Sequence, residues 1–130
     1  MAEPIDARVA PRVILLEDDP LVRFAQEILL KDWGYRVVAE SSRAGALAAI
    51  QDTPDDIAAI VADYHLGVDD NGAAVAQAIA AVAQREIPTI IMSASLGQRQ
   101  EQTAREHGFD CFSKPVNPEH LRNWLSSVIA

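Results

Sequence analysis

The sequence predicts an α/β fold: a doubly wound five-stranded parallel sheet with helices on both faces. Three observations predict it. Five short apolar runs recur along the chain, they are mostly continuous rather than alternating, and each is followed by a helical pattern. Strands covered on both faces need continuous apolar runs, and parallel strands need right-handed helical crossovers. The common order for five such units is 2-1-3-4-5, which opens a crevice outside the carboxyl ends of the strands where strands 1 and 3 diverge.

The first strand reads Val13 to Leu16. Asp19-Pro20 then supplies an N-cap and a proline at the first helical position, and Leu21, Ala25, Ile28 and Leu29 form an apolar stripe of the kind that faces a core. Gly34 is the stop signal. The second strand is Tyr35 to Ala39, followed by a short helix from Ser42 through Ile50. After the third strand, Ile57 to Ala62, Asn71-Gly72 opens an alanine-rich helix with Val75, Ile79 and Val82 on one face. The fourth strand is Ile87 to Met92. From Gly97 to His107 the chain is polar and charged with almost no apolar stripe, which predicts a weakly held helix. Phe109 to Phe112 is the fifth strand. Asn117-Pro118 starts the last helix, where Leu121, Trp124, Leu125, Val128 and Ile129 keep near-ideal spacing.

With 130 residues, 49% of them apolar, the chain fits one domain. Residues 1–11 read as a flexible N-terminal extension that is neither signal peptide nor anchor, and 12–130 as the domain. The single cysteine, Cys111, excludes an internal disulfide and suits a reducing compartment, so a cytoplasmic protein is expected. Eleven basic against nineteen acidic residues give a net charge of −8. That balance offers no grip on nucleic acid and no basic stripe for a membrane surface.

The chemistry collects at the predicted strand ends. Strand 1 ends in Glu17, Asp18 and Asp19, strand 3 in Asp63, strand 4 in Ser93 and strand 5 in Lys114-Pro115. Clustered carboxylates repel, and a hard divalent cation relieves that repulsion; a few oxygen ligands with room for water and phosphate oxygens suit Mg²⁺. No His or Cys pair has zinc-ligand spacing. A carboxylate beside Mg²⁺ can attack a phosphoryl group, with the metal and Lys114 neutralising its oxygens. Asp19 reads as a helix cap only, and Trp33 and Trp124 read as core or groove aromatics. His65, His107 and His120 have no partners that suggest acid–base roles.

VILLEDDP at 13–20, VADYHLG at 61–67 followed by Asn71-Gly72, IIMSAS at 90–95 and SKPV at 113–116 together resemble the receiver domains of two-component response regulators, over essentially the whole of 12–130. The resemblance implies the flavodoxin-like (βα)5 fold and a phosphorelay role. It makes Asp63 the phosphoacceptor, with Glu17 and Asp18 the acidic pair that holds Mg²⁺, Asp18 the more direct ligand. The backbone carbonyl of His65 completes the ligands, Ser93 donates to the phosphoryl group and Lys114 pairs with it. It also implies a cis Lys114–Pro115 bond and a histidine kinase or phosphotransfer protein as donor. DWGYRV, ADYHLG and KPVNPEHLRNWL look closest to receivers at the C-terminal end of hybrid sensor histidine kinases. The chain ends directly after its last helix, so no output domain is expected: it is a stand-alone regulator or the receiver part of a hybrid kinase.

Three features depart from that family. Glu17 stands where Asp is commoner. The loop from Asp63 to Gly72 is one residue longer than usual, and its Asp69 and Asp70 read as solvated. Cys111 replaces the usual aromatic switch residue, so output is expected through the 95–107 segment, with the final helix completing the surface for a downstream protein. Two other functions compete. A Mg²⁺-dependent phosphohydrolase would share the aspartyl-phosphate chemistry, but His65 stands where such enzymes carry a second Asp. A phosphorylation-independent interaction module would have no use for so complete a site.

Overall fold

The computed structural model describes residues 10–94 and 98–129, so most of the expected N-terminal extension and residues 95–97 lie outside the described residues. In chain order the elements are β1 (Arg12–Leu16), α1 (Pro20–Asp32), β2 (Arg36–Glu40), α2 (Arg43–Ile50), β3 (Ile57–Asp63), β4 (His65–Leu66), β5 (Asp70–Asn71), α3 (Gly72–Ala83), β6 (Thr89–Ser93), α4 (Gln98–Glu106), β7 (Asp110–Ser113) and α5 (Pro118–Val128). The main sheet is parallel with order β2-β1-β3-β6-β7, which is the expected 2-1-3-4-5 once the small antiparallel β4–β5 hairpin is set aside. The fourth long strand starts at Thr89 rather than Ile87. Pro88 has no N–H to give a ladder, though its carbonyl accepts from Ile60 at 2.9 Å.

Alternate residues of each strand feed two cores. Ile14, Leu16, Ile60, Ala62 and Ile91 pack with Ala46 and Ile50 of α2, Val75 and Ile79 of α3, and Ala104 of α4. Val13, Leu15, Val61, Ile90 and Met92 pack on the other side with Leu30 of α1 and with Leu121, Trp124 and Leu125 of α5. Truncating any of the fully buried isoleucines to alanine removes packed volume worth about 2–5 kcal/mol. Caps fix the helix starts: Asp19, Ser42, Asn71 and Asn117 each accept backbone N–H groups of the first turn.

The apolar stripe read on α1 does not face the sheet. Of that stripe Leu21 is 80% exposed, Ile28 53% and Ala25 also exposed, with Leu29 half-buried; Phe24, outside the predicted stripe, is 63% exposed, and the buried residue of the helix is Leu30. The spacing is helical but the arc is turned to solvent. Val82 of α3 is likewise exposed, whereas Val75 and Ile79 are buried.

At the amino edge of the sheet Arg12 is buried and satisfied by Asp56, by the Thr53 hydroxyl and carbonyl, and by the Ala49 carbonyl. Burial opposes the Asp56 charge, yet Arg12 and Arg36 together hold its carboxyl below the usual range. That network ties down the edge opposite the site.

Candidate functional site

Parallel pairing puts the carboxyl ends of β1, β3, β6 and β7 along one edge. Glu17 follows β1, Asp63 ends β3, Ser93 ends β6 and Lys114 follows β7. Backbone bonds bind these ends to one another: the N–H of Glu17 donates to the Glu40 carbonyl at 3.1 Å, that of Tyr64 to Met92 at 2.8 Å and that of Lys114 to Ser93 at 2.8 Å. The site is therefore built on the sheet itself, not on free loops.

Asp63 is 6% exposed. Its Oδ2 accepts from Lys114 Nζ at 2.8 Å and its Oδ1 from the His65 N–H at 3.3 Å. Lys114 Nζ also reaches Glu17 Oε2 at 3.5 Å. Glu17 is buried, with Oε1 accepting from the Asp19 N–H at 3.1 Å. Asp18 is exposed, and its Oδ2 accepts from the Gly67 N–H at 3.1 Å. One carboxylate oxygen from each of Glu17, Asp18 and Asp63 lies within 4.8 Å of the others.

Burial pushes the Glu17 carboxyl up to about 7, helped by the neighbouring Asp63 carboxylate and only partly offset by the Asp19 N–H and Lys114. Burial alone would lower the Lys114 ammonium, but the bond to Asp63 and the charges of Asp63 and Glu17 raise it above its ordinary value. The Lys114 ammonium thus reaches two members of the acidic trio, Asp63 and Glu17, while Asp18 is met by the Gly67 N–H, an arrangement short of positive charge. A hard divalent cation accepting oxygen ligands fits that donor set.

Sequence reasoning placed Glu17, Asp18, Asp63, Ser93 and Lys114 at this edge, and the structure brings them there. Ser93 is fully buried at the end of β6. His65 opens β4 immediately beyond Asp63, with its N–H on the carboxylate. Asp19 is the α1 cap, accepting from Leu21 and Val22. The Lys114–Pro115 bond is cis, as the resemblance implied.

Asp70 is not a solvated loop residue. It takes a bidentate ion pair from Arg43, whose Nε and terminal nitrogen donate at 2.9 and 2.7 Å. The pair joins positions 27 residues apart, beyond the reach of any local pattern. Two glycines also matter more than a sequence pattern reveals. Gly67 turns the loop with φ +74 and offers its N–H to Asp18. Gly72 lies against the Asp63 backbone. Glycines in a loop after a strand are the available signal, but they do not say which backbone they approach.

A parallel α/β sheet that gathers acids, a lysine and a serine at its carboxyl edge defines a receiver-type signalling module. The chain belongs to the response regulator receiver domain family, whose model matches residues 13–126. It is 32% identical over 119 residues to the two-component response regulator PprB of Pseudomonas aeruginosa, covering 89% of this chain and 42% of that protein. It therefore spans less than half the length of the curated relatives it matches. Among solved structures it is similar to the chemotaxis protein CheY4 of Vibrio cholerae (TM-score 0.80, 24% identity, 92% of this chain and 98% of that one). It is also similar to a Burkholderia pseudomallei response regulator described with a phosphorylated aspartic acid, a calcium ion and citrate (TM-score 0.75, 18% identity, 88% of this chain and 65% of that one). These structural likenesses carry the fold. Among the described residues, no helix is long and apolar enough to cross a membrane.

Proposed function

We propose that Asp63 accepts a phosphoryl group from a histidine kinase or phosphotransfer protein in a Mg²⁺-dependent reaction, and that the 12–130 receiver signals by changing shape. The observation that carries this reading is the 2.8 Å contact between Asp63 Oδ2 and Lys114 Nζ inside a trio of carboxylates. An Asp63 oxygen attacks the phosphorus of a phosphohistidine, the new O–P bond forms, the P–N bond breaks, and the electron pair returns to the imidazole nitrogen. Lys114 neutralises one phosphoryl oxygen and the Ser93 hydroxyl donates to another. Glu17, Asp18, Asp63 and the His65 carbonyl would hold Mg²⁺, which supplies the remaining positive charge for phosphoryl transfer. The phosphorylated aspartate and calcium described for the Burkholderia relative support this reading.

A protein donor must cover the rim of the site. The unpartnered stripe Leu21, Phe24 and Ile28 begins beside Asp19 on that rim, which supports a protein rather than a free metabolite as donor. Beyond its own phosphorylation and dephosphorylation no turnover is proposed. A cytoplasmic location, without nucleic-acid or membrane contact by this domain, accords with the charge of −8. The test is mass spectrometry after incubation with acetyl phosphate and Mg²⁺. One phosphoryl group on wild type and none on Asp63→Asn is expected; undiminished labelling of Asp63→Asn would refute the assignment, and multiple turnover on a small phosphomonoester would favour a hydrolase.

A further inference from the structure

We propose that Arg43 is a positioning residue for the acidic site: through Asp70 it holds the β4–β5 hairpin where Gly67 can fix the Asp18 carboxylate. This rests on the phosphoacceptor reading only for its consequence in Mg²⁺ binding.

The hairpin is too small to hold itself. Each strand has two residues, paired His65 with Asn71 and Leu66 with Asp70, and a pair of that length has no independent stability. Its base is secured. Leu66 is buried in the core beneath α2 and α3, and the Gly72 N–H donates to the Tyr64 carbonyl at 2.8 Å. The tip has no such anchor: Gly67 and Asp69 are exposed and Val68 is 99% exposed. Yet it is the tip that touches the site, through the Gly67 N–H on Asp18 Oδ2.

Arg43 supplies the missing restraint from outside the hairpin. It is the first residue of α2, a helix whose start is fixed by the Ser42 cap. Its guanidinium meets both oxygens of Asp70 in a two-point fork, which fixes orientation as well as distance. Asp70 lies directly across the ladder from Leu66, the residue leading into Gly67. Asp70 Oδ1 also accepts from the Asn71 N–H at 3.0 Å, and the Asn71 side chain caps α3. Arg43 thus links α2, the hairpin and the start of α3 around one carboxylate. Both partners are partly exposed, at 42% and 26% of their side chains, so the pair contributes little to global stability. Its effect falls on local placement. This also explains how the lengthened loop keeps a defined course: the pairing partner it needs lies on α2.

The test compares wild type with Arg43→Ala, Asp70→Ala and the exchanged pair Arg43→Asp with Asp70→Arg. Three quantities are measured: Mg²⁺ affinity by calorimetry with the metal alone, the thermal midpoint of the metal-free protein, and hydrogen exchange at the Gly67 amide without metal. Each single variant is expected to weaken Mg²⁺ binding on the order of 10-fold, the low end of what losing a support of a metal ligand does. The Gly67 amide should exchange faster while the thermal midpoint stays near wild type, and the exchanged pair should recover most of both properties. Unchanged Gly67 exchange in the single variants overturns the proposal, as does an affinity loss that merely tracks a lowered midpoint. If wild type binds no Mg²⁺ at all, the phosphoacceptor reading fails, and Gly67 exchange still decides the role of Arg43.

Discussion

Gly72 lies so close to Asp63 that a Cβ at position 72 would run into the Asp63 carbonyl oxygen and crowd the Ala62 methyl. The obstacle is backbone, which cannot swing aside. Gly72→Ala should therefore destabilise the fold by about 1–3 kcal/mol through overpacking, although alanine gains up to ~1 kcal/mol over glycine within a helix. Gly45 is the control. A Cβ there would overlap the Glu40 carboxylate, the far end of a flexible side chain, and only crowd the Ser42 cap hydroxyl at 3.3 Å, so Gly45→Ala should be far milder, near neutral or stabilising by up to ~1 kcal/mol. Urea melts of both variants measure the contrast, and Mg²⁺ titration shows whether the damage at Gly72 reaches Asp63. Equal stability of the two variants would refute the close approach.

Glu17 should make the metal-free protein less stable as pH rises. Burial, aided by the Asp63 charge, raises its carboxyl from 4.5 to about 7 in the fold. A raised folded value favours the protonated form, so its stabilising contribution is full below 4.5 and is lost as pH climbs through 7. Glu17→Gln, permanently neutral, should match wild type near pH 4, pull ahead as pH rises above 4.5, and exceed it at pH 8 by up to ~3 kcal/mol, less where Lys114 and solvent relax. Saturating Mg²⁺ should erase the difference, because a bound cation favours the ionised carboxylate. Thermal melts in chelator across this pH range would show a constant gap if the account were wrong.

Leu30 and Phe24 share α1 but should behave oppositely. Leu30 is 1% exposed within the core beneath β1, so Leu30→Ala should cost about 2–5 kcal/mol. Phe24 faces solvent, and Phe24→Ala should shift stability by no more than ~0.5 kcal/mol. If the stripe receives a protein donor, Phe24→Ala slows transfer from that donor while acetyl phosphate still labels Asp63 at the wild-type rate. Equal slowing with both donors would remove the stripe from the proposal.

What the sequence makes legible follows from locality. Glu17, Asp18, Asp63, Ser93 and Lys114 each sit at or just past the end of a strand that the sequence marks by a short apolar run, so once the runs are read as parallel strands the residues must meet at one edge. Alternation likewise puts Cys111 with Ile91 and Ala104, and Phe112 with Trp124 and Leu121 on the other face. Spacing on a helix carries less. It shows that Leu21 and Ile28 share an arc, but the sheet chooses which arc it covers, and here it covers Leu30. The partner of Asp70 leaves no mark in the sequence, because Arg43 belongs to a distant helix, α2, and nothing local ties it to β5.

Output should be read through α4. Among the side chains described in that helix, from Glu101 onward, Ala104 is the one fully buried, while Gln102, Arg105 and Glu106 are exposed, and the helix rests chiefly on β7, the edge strand of the sheet. Segments with so little buried surface open at low free energy, so α4 amides should exchange faster than those of α3, where Val75, Ala76 and Ile79 are buried. Beside it, α4, β7 and α5 enclose a groove of about 420 Å³ lined by Glu101, Arg105, Cys111, Phe112 and Trp124. Cys111 is half-buried and has no ring to move, so it leaves this space open where a larger side chain would fill it. Hydrogen exchange with Mg²⁺ and beryllofluoride, a phosphoryl mimic, should therefore change most over residues 98–107, with the expected range extending to 95–97 beyond the described residues. Cys111→Ala should keep that change, since no switching ring is lost. Cys111→Phe should fill the groove, slow α4 exchange in the unactivated protein and reduce the response. If residues 98–107 do not respond to the mimic, or if Cys111→Ala abolishes the response while Asp63 still accepts phosphate, α4 is not the output element.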